Sequence, residues 1–103
     1  MKNLNKEEWK KALTTNKNYV LLDVRSPQEC EAGMQENAIQ LNFLDQEVFM
    51  TGVEKLDKNK ECFVYCRSGA RSSNACALLN QRGFTTYNLL GGMLEWDGKI
   101  VKP

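Results

Sequence analysis

The stretch from Phe63 to Ser72 constrains the fold of this chain more than any other, because an apolar run leads through a cysteine into a polar loop. The apolar residues 63–65 predict a buried strand that presents Cys66 at its carboxyl end. A helical pattern follows, and we expect that helix to begin at about Arg71, with its N-terminus pointing back at the loop. The stretch therefore predicts a cysteine held between the end of a strand and the start of a helix.

Cys66 in this position is a candidate nucleophile. The unpaired N–H groups and the positive dipole end of the following helix favour an anion at the loop. Together with Arg67 and Arg71, they are expected to lower the pKa of the Cys66 thiol and keep it as the thiolate. Gly69 allows the backbone to turn with positive φ. The alternative is that Cys66 is a small buried apolar residue, but the polar loop that follows it is a poor continuation of a core.

The composition excludes several kinds of function. The chain has no histidine, so it contains no Cys-His or Ser-His catalytic pair, and any nucleophile must be activated by fixed positive charge and N–H donors. Its 14 basic and 13 acidic side chains nearly balance, so we expect neither nucleic acid nor a membrane as a partner. No apolar run approaches about 20 residues, and residues 1–11 lack an apolar signal core. We therefore expect a cytoplasmic protein.

The four cysteines do not form a metal-binding pattern. Cys30, Cys62, Cys66 and Cys76 include no C-x-x-C pair, and free thiols in a reducing compartment are a simpler interpretation than a four-cysteine zinc site. We expect no metal and no cofactor. Cys62 and Cys76 are expected to pack in the core. Cys30 is expected to do the same, with a role as a resolving thiol for Cys66 as the alternative.

The remaining sequence alternates helical and strand patterns within one predicted domain, residues 1–103. Helices are predicted at 6–14, from a capping box of Ser26 and Glu29 with Pro27 at the first helical position to about 33, after 45, from 71 to about 82, and just after 92, where Trp96 is expected to anchor the helix in the core. Strands are predicted at 19–24, 38–41, 62–65 and 84–88. This alternation predicts an α/β fold with a central, mostly parallel sheet and helices on both faces. Sites in such sheets lie beyond the carboxyl ends of the strands, where Cys66 is expected.

Asp23 lies near the end of a buried strand, where a carboxylate needs a partner. Arg25 or Arg71 could supply it.

Three motifs follow one another along the chain. The first is Leu22-Asp23-Val24-Arg25, followed by Pro27, Glu29, Ala32-Gly33 and Ala38-Ile39-x-Leu41-Asn42; the second is Tyr65-Cys66-Arg67-Ser68-Gly69-x-Arg71-Ser72; the third is Leu90-x-Gly92 with Gly91 and Trp96. With these motifs in this order the chain resembles the single-domain rhodaneses, which are sulfurtransferases of the thiosulfate type. It departs from them at residues 34–37, Met-Gln-Glu-Asn, where the family often has His-Ile-Pro-Gly.

The resemblance implies a rhodanese-like fold and a sulfurtransferase in which Cys66 is catalytic and carries a persulfide. It also implies that the site is built from a substrate-binding loop, Arg67, Ser68, Gly69, Ala70 and Arg71, and from supporting residues, Asp23, Arg25 and Ser72. Its substrates would be a small anionic sulfur donor such as thiosulfate and an acceptor such as cyanide or a thiol, with a protein persulfide as a further partner.

Two alternatives remain open at this point. The chain could be a persulfide carrier or an interaction module whose partner is another protein. It could also resemble the phosphatases and arsenate reductases of related fold. Those enzymes have one residue more between the cysteine and the arginine than the four found here, 67–70, and the shorter loop is similar to the sulfurtransferase pattern.

Overall fold

The computed structural model of the protein describes residues 1–103. Its strands are β1 (Lys2–Leu4), β2 (Tyr19–Asp23), β3 (Met34–Gln35), β4 (Ile39–Gln40), β5 (Glu61–Tyr65), β6 (Thr86–Leu89) and β7 (Ile100–Val101). Its α-helices are α1 (Lys6–Thr15), α2 (Pro27–Glu31), α3 (Gln46–Val53) and α4 (Ala70–Gln81), and a short 3-10 helix covers Gly92–Glu95. None of these helices has the length and apolar character needed to cross a membrane.

Five strands form a parallel sheet in the order β1-β6-β5-β2-β4. The strand that leads to Cys66, β5, lies at its centre, between β6 and β2. A separate antiparallel ribbon pairs β3 with β7. The predicted α/β fold with a central parallel sheet is confirmed, and the carboxyl ends of all five strands meet at one edge of the sheet.

The side chains of β5 alternate between two cores, which places helices on both faces of the sheet. Cys62 and Val64 belong to the core that also contains residues of α3 and α4. Phe63 and Tyr65 belong to the other core, together with Trp9 of α1, and Trp9 packs edge-on against both rings. A strand buried on both faces reads as a continuous apolar run, which is the pattern that the sequence shows here.

Local signals place the helices next to the site. Ser26 accepts a hydrogen bond from the backbone N–H of Glu29 while the Glu29 carboxylate accepts one from the N–H of Ser26, so the predicted capping box of α2 is present. At the end of α4, Gly83 has a φ of +92°. The N–H groups of Gly83 and Phe84 donate to the carbonyls of Asn80 and Leu79, which is the hydrogen-bond pattern of a Schellman motif.

Three features differ from the sequence prediction. The strand predicted at 84–88 begins instead at Thr86, because the Phe84 N–H is already engaged by the end of α4. The edge strand β1 and the β3–β7 ribbon were not predicted, since both depend on partners far away in sequence. Trp96, expected as a core anchor, is only partly buried, although it does pack against the core around Trp9.

Candidate active site

Cys66 follows β5 directly and lies buried at the mouth of the loop. Its Sγ accepts hydrogen bonds from the backbone N–H of Gly69 at 3.1 Å and from that of Ser72 at 3.4 Å. Gly69, with a φ of +107°, is the N-cap of α4, so the first turn of the helix points at the sulfur. The strand end, the loop and the helix start therefore form the cradle predicted around Cys66.

The electrostatics of this cradle favour the thiolate. Burial acts to raise the pKa of the Cys66 thiol, but hydrogen bonds from the Ser72 hydroxyl and from the N–H groups of Ser72, Gly69 and Ser68 outweigh it, and the pKa is lowered. Hydrogen bonds to the charged form are the ordinary way to stabilise a buried anion. The stabilisation of the thiolate therefore depends mainly on uncharged N–H and O–H donors of the loop and α4.

The third sequence motif, around Gly91 and Gly92, supports the backbone of the loop that follows Cys66. The N–H groups of Met93 and Leu94 donate to the carbonyls of Cys66 and Arg67, each at 3.0 Å. Gly92, with a φ of +52°, lies so close that a Cβ there would come within 2.5 Å of both carbonyl oxygens. The glycine at this position thus lets the 3-10 helix hold the backbone of the loop in place.

Arg71, one of the two arginines predicted at the rim, is already engaged by a carboxylate. Its guanidinium makes two hydrogen bonds to Glu29, at 2.7 and 2.8 Å. This contact is the main cause that holds the pKa of Glu29 down, to about 2. The partner is not Asp23, as considered above, but a residue that the sequence indicated only as a helix cap. Arg71 thereby ties the start of α4 to α2.

The rest of the predicted substrate-binding loop lies at the surface. Arg67, Ser68 and Ala70 are exposed, and Gly69 is half-buried. Arg67 forms no ion pair, so its charge is available to an anion at the mouth of the cradle.

Asp23, the last residue of β2, pairs with Arg25, and neither side chain touches the sulfur of Cys66. The guanidinium of Arg25 contacts both carboxylate oxygens of Asp23, at 2.7 to 3.1 Å, and donates to the Gly33 carbonyl at 2.7 Å. Both side chains are buried. The guanidinium also lies over the ring of Tyr65, 5.9 Å from its centroid, so this pair supports the strand that carries Cys66.

One residue of the site was missed by the sequence analysis. Asn88 of β6 is buried, and its Oδ1 lies 2.5 Å from the hydroxyl of Ser72. Ser72 Oγ in turn lies 3.3 Å from Cys66 Sγ. The signal that could have found Asn88 is the one used for Asp23, a polar side chain near the carboxyl end of an otherwise buried strand.

The other three cysteines lie in the interior as free thiols. Burial raises the pKa of Cys30 and of Cys62 to about 12, and that of Cys76 to about 11. Cys66 is thus the one thiol whose surroundings stabilise the thiolate, and we expect it to be the reactive one.

The rim of the cradle is partly apolar, and none of the three surface clefts of the protein is lined by Cys66. Leu90 and Leu94, which flank Gly92, expose 48% and 62% of their surface. A ligand that reaches the sulfur here is either small or belongs to a partner that rests on this rim.

Chemically, the arrangement offers a thiolate nucleophile, a ring of N–H donors for a negatively charged sulfur, and one positively charged side chain without an ion-pair partner, Arg67. It offers no imidazole as a general base. It is suited to attack on an electrophile whose leaving group needs no proton.

Comparison with known proteins gives a consistent result. The family model described as "Rhodanese-like domain" matches residues 6–99. A "Putative sulfurtransferase" of Bacillus subtilis is 38% identical over 94 residues, which are 91% of this chain and 87% of that protein. A "Sulfurtransferase" of Allochromatium vinosum is 34% identical over 94 residues, 90% of this chain and 85% of that protein. The crystal structure of a rhodanese-like domain protein from Staphylococcus aureus superposes with a TM-score of 0.87 at 26% identity, covering 100% of this chain and 99% of that one.

Proposed function

The chain belongs to the rhodanese-like domain family, and from this we propose that it is a single-domain sulfurtransferase that moves sulfane sulfur through a persulfide on Cys66. The relatives that carry the name sulfurtransferase support the transfer of sulfur between a donor and an acceptor. The observation that carries the proposal is the sulfur of Cys66, 3.1 and 3.4 Å from two backbone N–H groups of its own cradle.

In the first step the Cys66 thiolate attacks the outer sulfur of thiosulfate. The new S–S bond forms as the old one breaks, and sulfite leaves with the bonding electron pair, so charge balances and no proton is needed. The free cation of Arg67 attracts the dianionic donor to the mouth of the cradle. This step needs neither a general base nor a general acid, because the nucleophile is already a thiolate and sulfite leaves as a stable anion at neutral pH.

In the second step an acceptor attacks the outer sulfur of the persulfide. Cyanide takes it as thiocyanate, and a thiolate takes it as a new persulfide, and in both cases the Cys66 thiolate returns with the electron pair. Between the steps, the N–H groups of the loop stabilise the negative outer sulfur. The rate of the second step then depends on how well an acceptor reaches this sulfur.

A second candidate is a persulfide carrier that exchanges sulfur with another protein. The exposed Leu90 and Leu94 beside the cradle favour it, because apolar side chains around a reactive group suit a protein partner better than a small anion. The same Cys66 chemistry would serve, and thiosulfate would then be a poor donor compared with a protein persulfide.

The test is a measurement of intact mass. The reduced protein is incubated with thiosulfate, and we expect a gain of one sulfur atom that cyanide removes. The variant Cys66→Ser should gain nothing, because an oxygen cannot form the persulfide. The matched control Cys30→Ser, which removes a buried thiol outside the cradle, should gain sulfur like the wild type.

Failure to gain sulfur from thiosulfate and from a small-molecule persulfide, with Cys66 shown to be reduced, would contradict the proposed function. Loading by the persulfide alone would favour the carrier. The variant Arg67→Ala should raise the KM for thiosulfate, a dianion, more than the KM for a small-molecule persulfide that carries a single negative charge.

A further inference from the structure

The Ser72 hydroxyl lies between two groups that both require its single proton. Cys66 Sγ is 3.3 Å from Ser72 Oγ on one side, and Asn88 Oδ1 is 2.5 Å from it on the other. A hydroxyl carries one proton and two lone pairs. It can donate to the amide oxygen or to the sulfur, but not to both in full.

The orientation of the Asn88 amide is settled by its other contacts. Its Nδ2 lies 3.4 Å from the carbonyl oxygen of Gly69 and 3.1 Å from Asn3 Oδ1. The Gly69 carbonyl can only accept, so the NH₂ group must face it, and the amide oxygen must face Ser72. An amide oxygen has no proton, so Ser72 is the donor in this contact. Both residues are buried, so this contact is made in a surrounding of low dielectric constant.

We propose that Asn88 is a positioning residue that accepts the hydrogen bond of the Ser72 hydroxyl while Cys66 is a thiol. When the sulfur becomes negatively charged, the hydroxyl gives up this bond and donates to the sulfur instead. In the thiol state, the Cys66 S–H donates to Ser72 Oγ while Ser72 donates to Asn88. When the thiol loses its proton to solvent, the hydroxyl turns and donates to the thiolate. When the persulfide forms, the charge moves to the outer sulfur and the hydroxyl returns to Asn88.

This inference deepens the proposed function, since it rests on Cys66 as the nucleophile and adds the group that sets its basicity. When the hydroxyl turns to the thiolate it loses its hydrogen bond to Asn88, so the net stabilisation of the thiolate is smaller than a hydroxyl without that partner would give. Asn88 thereby keeps the nucleophile more basic, and a more basic thiolate attacks sulfur faster. The residue thus sets a balance between the fraction of thiolate and its reactivity.

Other charged or titratable groups lie around Cys66. Arg71 and the Cys76 thiol interact with it electrostatically. Arg67 lies on the loop, Glu29 is paired with Arg71, and Asp23 and Arg25 are paired with each other. None of them contacts the Asn88 amide. A substitution of Asn88 therefore changes the Ser72 contact without changing a charge.

The test is the pH dependence of the rate at which iodoacetamide alkylates Cys66, read by mass spectrometry on the cysteine-containing peptide. Asn88→Leu keeps the approximate size of the side chain but cannot accept a proton. We expect the midpoint of its pH profile to fall by about one pH unit, the size of one hydrogen bond to a charged group. Asn3→Ala, which removes the other side-chain partner of Asn88, should leave the midpoint at the wild-type value.

The decisive comparison is a double-mutant cycle with Ser72→Ala. In that background, the hydroxyl is gone, and Asn88→Leu should shift the midpoint by less than about 0.2 units. Equal shifts in both backgrounds, no shift in either, or an upward shift in Asn88→Leu alone would overturn the inference. Thermal unfolding of each variant identifies any that does not fold, and Asn88→Ala then replaces Asn88→Leu. Because alkylation uses no sulfur donor, this result is independent of whether the protein transfers sulfur.

Discussion

Replacing Gly92 by alanine tests whether the 3-10 helix holds the cradle in place. At this residue φ is +52°, and an added Cβ would lie 2.5 Å from the carbonyl oxygens of both Cys66 and Arg67, whereas real Cβ atoms essentially never come within 3.0 Å of another atom. The atoms that it would meet belong to the backbone and cannot rotate away. Either the loop or the 3-10 helix must shift, and the hydrogen bonds from Met93 and Leu94 to the loop are then strained.

The magnitude follows from two contributions. A left-handed backbone conformation costs an alanine roughly 1–2 kcal/mol, and forcing an atom into a filled site costs about 1–3 kcal/mol more. Gly92→Ala should therefore lower the free energy of unfolding by roughly 2–5 kcal/mol, which a domain with about 5–15 kcal/mol can survive. Gly83→Ala is the matched control. Its φ is +92°, but its added Cβ would meet only a lysine side chain at 3.9 Å, so it should lose roughly 1–2 kcal/mol.

Urea unfolding measures the free energy of unfolding of both variants. The rate of alkylation of Cys66 at pH 7 reports whether the cradle still stabilises the thiolate. Loss of one N–H donor raises the pKa of Cys66 and lowers the fraction of thiolate, and the greater reactivity of a more basic thiolate offsets part of this, so alkylation should slow about threefold in Gly92→Ala, while Gly83→Ala should react at the wild-type rate. The reasoning fails if Gly92→Ala is no less stable than Gly83→Ala, or if it is less stable but alkylates as fast as the wild type.

Three further predictions concern the groups around the cradle. At pH 8 we expect one alkylated cysteine per native wild-type chain and none in Cys66→Ser, because burial raises the pKa of Cys30, Cys62 and Cys76; mass spectrometry counts the labels, and two labels on the native chain would contradict this. Asp23→Asn leaves the buried charge of Arg25 without its partner and should cost about 3–5 kcal/mol in urea unfolding, whereas Asp97→Asn at the surface should remain close to the wild type. Glu29 has a folded-state pKa of about 2 against an ordinary value of 4.5, so the stability from its contact with Arg71 is present above pH 4.5 and is lost as the pH falls towards 2. After allowance for its partial exposure this contact contributes about 1–2 kcal/mol, and the difference between wild type and Glu29→Gln in unfolding free energy should vanish across that interval; a difference that persists at pH 2 would refute the assignment.

The parts of the fold that the sequence predicted correctly are those encoded locally. The cap and proline that begin α2, the glycine that ends α4 and the apolar run of β5 each depend on residues within a few positions of one another. The location of Cys66 at the end of β5 follows from the same local signals. What could not be predicted is long-range pairing. The strand β1 has three residues and one buried side chain, Leu4, and it exists because β6 lies beside it from the other end of the chain.

The same distinction applies to the site. The backbone donors to Cys66 come from its own loop and could be predicted from the loop pattern. The side-chain contacts connect the cradle to α2 and β6, 42 residues before Arg71 and 16 residues after Ser72. Glu29 was predicted as part of the capping box of α2 and closes it through Oε1, but Oε1 and Oε2 both also accept hydrogen bonds from Arg71. One carboxylate thus serves the local structure and the site, and a local interpretation accounts for only the first role.

The contacts of Arg67 and Arg71 indicate that the two arginines have different roles. Arg71 already has both ends of its guanidinium on Glu29, and releasing it to a substrate would leave a partly buried carboxylate without its partner. Arg67 is exposed and unpaired, so it can bind an anion at little cost. We therefore expect donor recognition to depend mainly on Arg67 and cradle geometry to depend on Arg71.

Arg67→Lys should keep much of the activity with thiosulfate, since attraction needs only a charge. Arg71→Lys should lose more, because a lysine cannot make two parallel hydrogen bonds to Glu29. Steady-state kinetics separates them: a change in KM is expected for Arg67→Lys and a change in kcat for Arg71→Lys, and the opposite assignment would show that Arg71 leaves Glu29 to bind the donor.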